Sequence, residues 1–349
     1  MGRRCSIACI IPPRLLEELA RRGTEEEREA ALHTISIDAT LRLVRVHNAL
    51  ARGPLDRATI RQGATPGQPQ RTIYDCKGLE PPTTPEQVRA EGDPPTDDVA
   101  VNEAYDGLGD TYALYWDQFK RDSIDDQGMP LHGWVHYGRD YDNAFWDGEE
   151  MVFGDGKIFE RFTKSLDVIG HELAHGVTEH EAGLQYLNQS GALNESISDV
   201  FGTLVKQSKL GQSADQGDWL IGADLVKPDF PGKALRSMVD PGTAWDGDDQ
   251  PAHMKDYVQT MADSGGVHTN SGIPNKAFAS LALALGGNAW EKAGRVWYET
   301  LRDPRIGANA TFVQFAGQTV AVARRLFGAG SGEANAVVAS WDGVGVSAD

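Results

Sequence analysis

Apolar and polar positions along this chain change their arrangement near Ser165. Before that point the runs are short and strand-like. RTIYDCK from Arg71, LHGWVHYG, NAFWDGEEM and VFGDG are aromatic-rich and punctuated by Gly, as in a meandering sheet. A Pro-rich stretch around Pro81 to Pro95 separates the first of these from a helix expected from Val99 behind an Asp98 cap. After Ser165 the spacing becomes helical, over Leu166 to His180, Leu193 to Lys209, Pro274 to Leu285, Asn288 to Leu301, Phe312 to Phe327 and Glu333 to Trp341. In front of all this, Leu15 to Leu32 and Thr40 to Leu50 read as two short helices, the first interrupted near Gly23. Arg61 to Gln70 (RQGATPGQPQ) reads as an exposed linker of the kind proteases cut. No internal repeat is visible. A β-rich half followed by a helical half is an α+β arrangement, with a cleft expected between the two.

Composition narrows the function classes. At 349 residues with 40% hydrophobic content the chain can fill two domain cores and an appendage. The formal charge of −18 argues against nucleic acid and against an anionic membrane surface as partners. That charge is unevenly spread. Residues 1 to 60 hold ten Arg and eight acids, leaving 23 basic and 43 acidic residues for the remainder, so a net +2 segment precedes a net −20 body. Cys5, Cys9 and Cys76 make an odd count without metal-ribbon spacing, which speaks against a disulfide framework. Ser6 to Ile11 is too short for a Sec signal core or a membrane span, so secretion without an N-terminal Sec signal peptide is expected, or otherwise a cytoplasmic precursor. No membrane insertion is expected, and a monomer is.

Chemistry is concentrated in His171-Glu172-Leu173-Ala174-His175. On a helix the two imidazoles share one face and can hold one zinc ion, with Glu172 beside them to polarise a bound water. A hydrolytic zinc site needs a third protein ligand and an open position. Asn194-Glu195-Ser196-Ile197-Ser198-Asp199 on the next helix offers Glu195, and Asp199, one turn on, is placed to accept the other ring N–H of a ligating His. Taken alone, such acids are more often solvated; spacing and the Asp199 partner favour the ligand reading.

The stretch HELAHGVTEHEAGLQYLNQSGALNESISDVFGTLV (171 to 205) resembles the active-site region of the thermolysin-like neutral zinc metalloproteases. NAFWDGEEMVFGDG, ALRSMVDP, DSGGVHTNSGIPNKAF and the terminal WDGVGV resemble the family's other signatures in order. The short front segment with Ile11-Pro12-Pro13-Arg14-Leu15-Leu16 resembles the protealysin branch. The resemblance implies a thermolysin-like two-domain α+β fold, with an inhibitory propeptide and linker at 1–65, a β-rich domain at 66–180 and an α-helical domain at 181–349. It implies one catalytic Zn2+ on His171, His175 and Glu195, and Glu172 as general base. His268, oriented by Asp263, and Tyr186 would stabilise the oxyanion. Asn143, Ala144 and Arg236 would hold substrate backbone, and Phe159, Phe162, Val168 and Leu235 would form an apolar pocket for the residue after the scissile bond. Without the resemblance, His268 reads as an exposed loop residue and Tyr186 as a core aromatic.

The chain also departs from the family. Lys206 stands where calcium-loaded members carry Glu, so although Asp167 matches a calcium ligand and Asp215, Asp218 and Asp224 are close in sequence, Ca2+ is possible but not predicted. In the propeptide, Cys5 could ligate zinc as a cysteine switch, or Pro12, Pro13 and Leu15 could dock without touching the metal. Two rival functions are weighed. A zinc aminopeptidase would need a GxMEN-like stretch, which does not precede the zinc motif; a zinc-binding or adhesion module has no use for Glu172 and His268. The reading is a neutral endopeptidase zymogen whose partners are protein or peptide substrates and its own propeptide in cis.

Overall fold

The computed structural model describes residues 8–52, 65–80 and 84–348. Cys5 and the first part of the Arg61 to Gln70 linker lie outside the described residues. The chain divides into two compact units, residues 1–176 with 224–229 and residues 177–223 with 230–349.

In the first unit the front segment forms β1 (Ala8–Cys9), α1 (Pro13–Arg22) and α2 (Glu25–Arg52). The break falls at Gly23, whose N–H donates to the Leu19 carbonyl at 2.9 Å. Thr24 and Glu27 then cap α2 reciprocally, Thr24 N–H to Glu27 Oε2 at 2.6 Å and Glu27 N–H to Thr24 Oγ1 at 3.3 Å. The separate helix expected at Thr40 does not exist. No Gly or Pro falls between Glu25 and Arg52, so nothing stops the helix there. Ala30, Ala31, Thr34, Ile37 and Asp38 make one buried stripe at helical spacing.

The body continues with β2 (Arg71–Asp75), β3 (Glu86–Ala90), α3 (Val99–Phe119), β4 (Leu131–Val135), β5 (Ala144–Trp146), β6 (Glu150–Phe153) and α4 (Leu166–His180). Asp98 caps α3 as expected, accepting from the N–H groups of Ala100 and Val101. One six-stranded sheet results, in the order β1-β5-β6-β4-β2-β3. It is mixed rather than a meander: β2 is parallel to β4 and β4 to β6, because α3 carries the chain back across the sheet before β4 begins. β3 was not anticipated. It occupies the proline-free gap between Pro85 and Pro94 at the sheet edge, where flanking prolines are tolerated.

β1 pairs antiparallel with β5, Ala8 opposite Trp146 and Cys9 opposite Phe145. Cys9 and Ile37 of the front segment join Cys76, Tyr137, Tyr141, Phe145 and Val152 in one apolar cluster. Within it Tyr137, Tyr141 and Phe145 meet edge to face at 5.4 to 6.3 Å. Cys9 and Cys76 are buried, and burial pushes the Cys76 thiol up to about 12, which makes it a packing group rather than a nucleophile.

The second unit contains α5 (Asn188–Leu210), β7 (Leu220–Ile221), β8 (Arg236–Ser237), α6 (Asp263–Asn270), α7 (Gly272–Leu285), α8 (Ala293–Leu301), α9 (Phe312–Phe327) and α10 (Gly332–Gly343). α5 is its central element, buried from Ser190 through Gln207. Trp297 and Trp341 stack at 5.8 Å and 3° between planes, with Phe278 and Phe315 edge-on to Trp297. No described helix is long and apolar enough to cross a membrane.

Candidate active site

Helix α4 brings His171 and His175 to one side, one turn apart, and buries both along with Glu172. The two Nε2 atoms are 3.0 Å apart and the rings nearly perpendicular at 84°. Two nitrogens facing each other at that distance suit a shared cation about 2.0 to 2.1 Å from each. Glu172 lies between them in sequence. Its Oε2 accepts the Trp146 N–H at 3.1 Å, which ties the acid to β5.

The edge of β5 is occupied by the chain's own front segment. Ile10 N–H donates to the Ala144 carbonyl at 3.3 Å, and Ile11 N–H donates to Asn143 Oδ1 at 3.1 Å. Helix α2 completes the grip on three successive residues. Asp38 accepts from Tyr141 Oη (2.7 Å) and from Asn143 Nδ2 (3.0 Å), while Thr34 Oγ1 accepts the Asp142 N–H at 3.0 Å. Pro12 precedes α1 as its N-cap with Pro13 at N1, and Leu15 is buried. Phe159, Phe162 and Val168 are fully buried, the two rings edge to face at 6.3 Å.

In the second unit, Glu195 on α5 is fully buried and accepts a short hydrogen bond from Tyr186 Oη. The same hydroxyl lies 3.2 Å from His268 Nε2. His268 is not an exposed loop residue but is 4% exposed on α6, whose start is folded sharply by left-handed Ser264, Gly265 and Gly266. Asp263 takes both the His268 main-chain N–H (2.8 Å) and Nδ1 (2.7 Å). Burial pulls the imidazole pKa down, yet the charges of Asp263 and Glu195 outweigh it and raise it to about 9. Leu235 is fully buried beside Gly222, where an added Cβ would come within 2.6 Å of it.

Asp199 and Arg236 have a relationship that sequence reasoning did not see. Arg236 Nε and Nη2 donate to the two Asp199 oxygens at 2.9 and 2.7 Å, and Asn275 Nδ2 adds a third bond at 2.8 Å. Both charged side chains are essentially inaccessible. Lys206, in the family's calcium position, donates to Asp218 at 3.1 Å. Sequence reasoning also passed over Thr34 and Asp38. Their signal was present: two polar residues, one turn apart, on the otherwise apolar stripe of α2.

A buried helix with two converging imidazoles and an interposed acid, in a chain that also folds a tyrosine and an aspartate-held histidine around a second buried carboxylate, is the equipment of a metallohydrolase. Family comparison specifies which. Residues 83–179 match the thermolysin metallopeptidase catalytic domain and residues 182–346 its alpha-helical domain. An extracellular metalloprotease of Pectobacterium carotovorum subsp. carotovorum is 50% identical over 347 residues, covering 97% of this chain and 96% of the relative. Protease PrtS of Photorhabdus sp. (strain Az29) is 45% identical over 97% of this chain and 91% of its own. Among solved structures, the precursor of protealysin, a metalloproteinase from Serratia proteamaculans, superposes with a TM-score of 0.87 at 50% identity, covering 97% of this chain and all of that one. This chain belongs to the thermolysin family of metallopeptidases, in its protealysin-like branch. It is a zinc-dependent metalloendopeptidase with the family's α+β fold, acting on peptide substrates.

Proposed function

We propose that the chain is a secreted endopeptidase zymogen that cuts before bulky apolar residues and removes its own front segment. The carrying observation is that Ala8 and Cys9 pair with β5 and that Ile10 and Ile11 bond to Ala144 and Asn143, the edge a substrate backbone would use. Residues 1–65 are the propeptide and linker, 66–180 the β-rich domain and 181–349 the helical domain of a monomer. The protein acts outside the cell, as the Pectobacterium relative named as extracellular does.

His171, His175 and Glu195 hold the zinc, since two imidazoles and a carboxylate are a donor set that suits a hydrolytic site. Bound there, zinc supplies a Lewis acid for the scissile carbonyl and lowers the pKa of water. Glu172, fixed by the Trp146 N–H, takes the proton of the attacking water and delivers it to the leaving amine. Tyr186 Oη and His268 Nε2 donate to the oxyanion, and Asp263 holds the His268 ring in the orientation that lets it do so. Arg236, anchored on Asp199 through Nε and Nη2, holds a substrate carbonyl. Phe159, Phe162, Val168 and Leu235 wall the pocket for the residue after the cut.

Expression of wild type beside Glu172→Gln tests the reading. Wild type should lose its front segment and gain chelator-sensitive activity on casein, while the variant keeps stoichiometric zinc and full length until wild type is added in trans. A wild type that is fully active with residues 1–60 uncut would sink it.

A further inference from the structure

We propose that Asp142 is a specificity-determining positioning residue: its buried carboxylate fixes the loop that carries Phe159 and so sets the apolar pocket. This rests on the reading of Phe159 as a pocket wall. Asp142 is fully buried between Tyr141 and Asn143. Its Oδ1 accepts three successive main-chain N–H groups, from Lys157, Ile158 and Phe159, at 2.8, 2.9 and 3.0 Å. Consecutive N–H groups converging on one oxygen form an anion nest, and bonds to an ionised acceptor are roughly twice as strong as neutral ones. The other oxygen, Oδ2, is equally buried and has no hydrogen-bond partner among the described residues.

The three bonds to Oδ1 carry the argument, because main-chain N–H groups buried without an acceptor cost free energy, so the path of the loop depends on this one carboxylate. Burial pushes the carboxyl up to about 6 even against its three N–H bonds. The same loop is held elsewhere too. Gly154 N–H donates to the Asn143 carbonyl at 3.0 Å, Gly156 N–H to the Tyr141 carbonyl at 3.2 Å, and Lys227 Nζ to the Lys157 carbonyl at 2.6 Å. Gly154 itself admits no side chain, since a Cβ would stand 2.0 Å from the Tyr141 oxygen. Two neighbouring residues thus serve opposite sides of one substrate residue: Asn143 faces the peptide backbone, and Asp142 holds the main chain of the pocket wall.

The test uses zinc-loaded enzyme from the full chain and two peptides that differ only in Leu or Ala after the scissile bond. Wild type should prefer Leu by about 10- to 200-fold in kcat/KM. Asp142→Ala should cut that ratio by about tenfold, whereas Asp142→Asn, which keeps the Oδ1 acceptor, should restore it to within about threefold. If Asp142→Ala does not accumulate, Asp142→Ser carries the same expectation, because a hydroxyl is too short to reach all three N–H groups. Phe159→Ala is the control. If it leaves the Leu to Ala ratio unchanged, the pocket reading fails and this inference with it. If it lowers the ratio while folded Asp142→Ala or Asp142→Ser does not, the pocket stands and the role of Asp142 is overturned.

Discussion

Replacing Asp38 with Ala should loosen the front segment from the body. The carboxylate is 3% exposed, and its two oxygens accept from Tyr141 Oη at 2.7 Å and Asn143 Nδ2 at 3.0 Å. Alanine removes both acceptors and leaves a hydroxyl and an amide N–H buried without them. Hydrogen bonds to a charged group contribute about 1.5–3 kcal/mol each, so the gross loss is about 3–6 kcal/mol. Part of that is offset, because the variant no longer buries a carboxylate and water can enter the gap. A net of about 3 kcal/mol corresponds to roughly a hundredfold in the docking equilibrium, at about 1.4 kcal/mol per decade. β1 and Ile37 keep their contacts, so the segment should open more often rather than detach. Alanine is also the strongest helix former, so a loss of α2 itself would not be the cause. The assay is trace trypsin on the Glu172→Gln background, where self-cleavage is absent and cutting within residues 8–52 tracks the open population. The expected outcome is cutting about a hundredfold faster than in the parent, with faster self-processing when Glu172 is restored. A folded Asp38→Ala protein cut at the parental rate would refute the reasoning.

Two other outcomes follow from the site and the sheet. His268→Ala should lower kcat by about 10²- to 10³-fold with little change in KM, because an oxyanion donor acts on charge present only in the transition state; steady-state kinetics showing a raised KM at unchanged kcat would make it a ground-state binding residue instead. His136 lies between Asp155 (2.9 Å from Nδ1) and Asp98 (2.9 Å from Nε2), and the bond to Asp155 leads in raising its pKa, against burial, to about 9. Its folded pKa is above the unfolded value, so its contribution is fully present below about pH 6.5 and is lost as pH rises through 9. The gap in urea midpoint between wild type and His136→Gln should therefore close between pH 6.5 and 9.5, and a gap that stays constant would contradict the assignment.

Sequence by itself determined the features that depend on neighbours a few residues apart. α4 and α9 begin and end where apolar spacing placed them, Leu166–His180 and Phe312–Phe327, and Asp98 caps α3. The two imidazoles of α4 fall together for the same reason, since a helix fixes the geometry of positions four apart. Where a local signal is ambiguous the reading fails: Leu15 to Leu32 and Thr40 to Leu50 read as separate helices, although no residue between Leu32 and Thr40 can break α2. Only the tertiary structure decided pairings across long separations. β1 lies on β5 with more than 130 residues between them, Asp38 reaches Tyr141 and Asn143, and Asp199 takes Arg236 and Asn275 as partners. Each of those polar side chains is compatible with a solvated surface when read alone. Burial makes the difference, because a charged or amide group removed from water must find a partner, and which partner is in reach depends on how the whole unit packs.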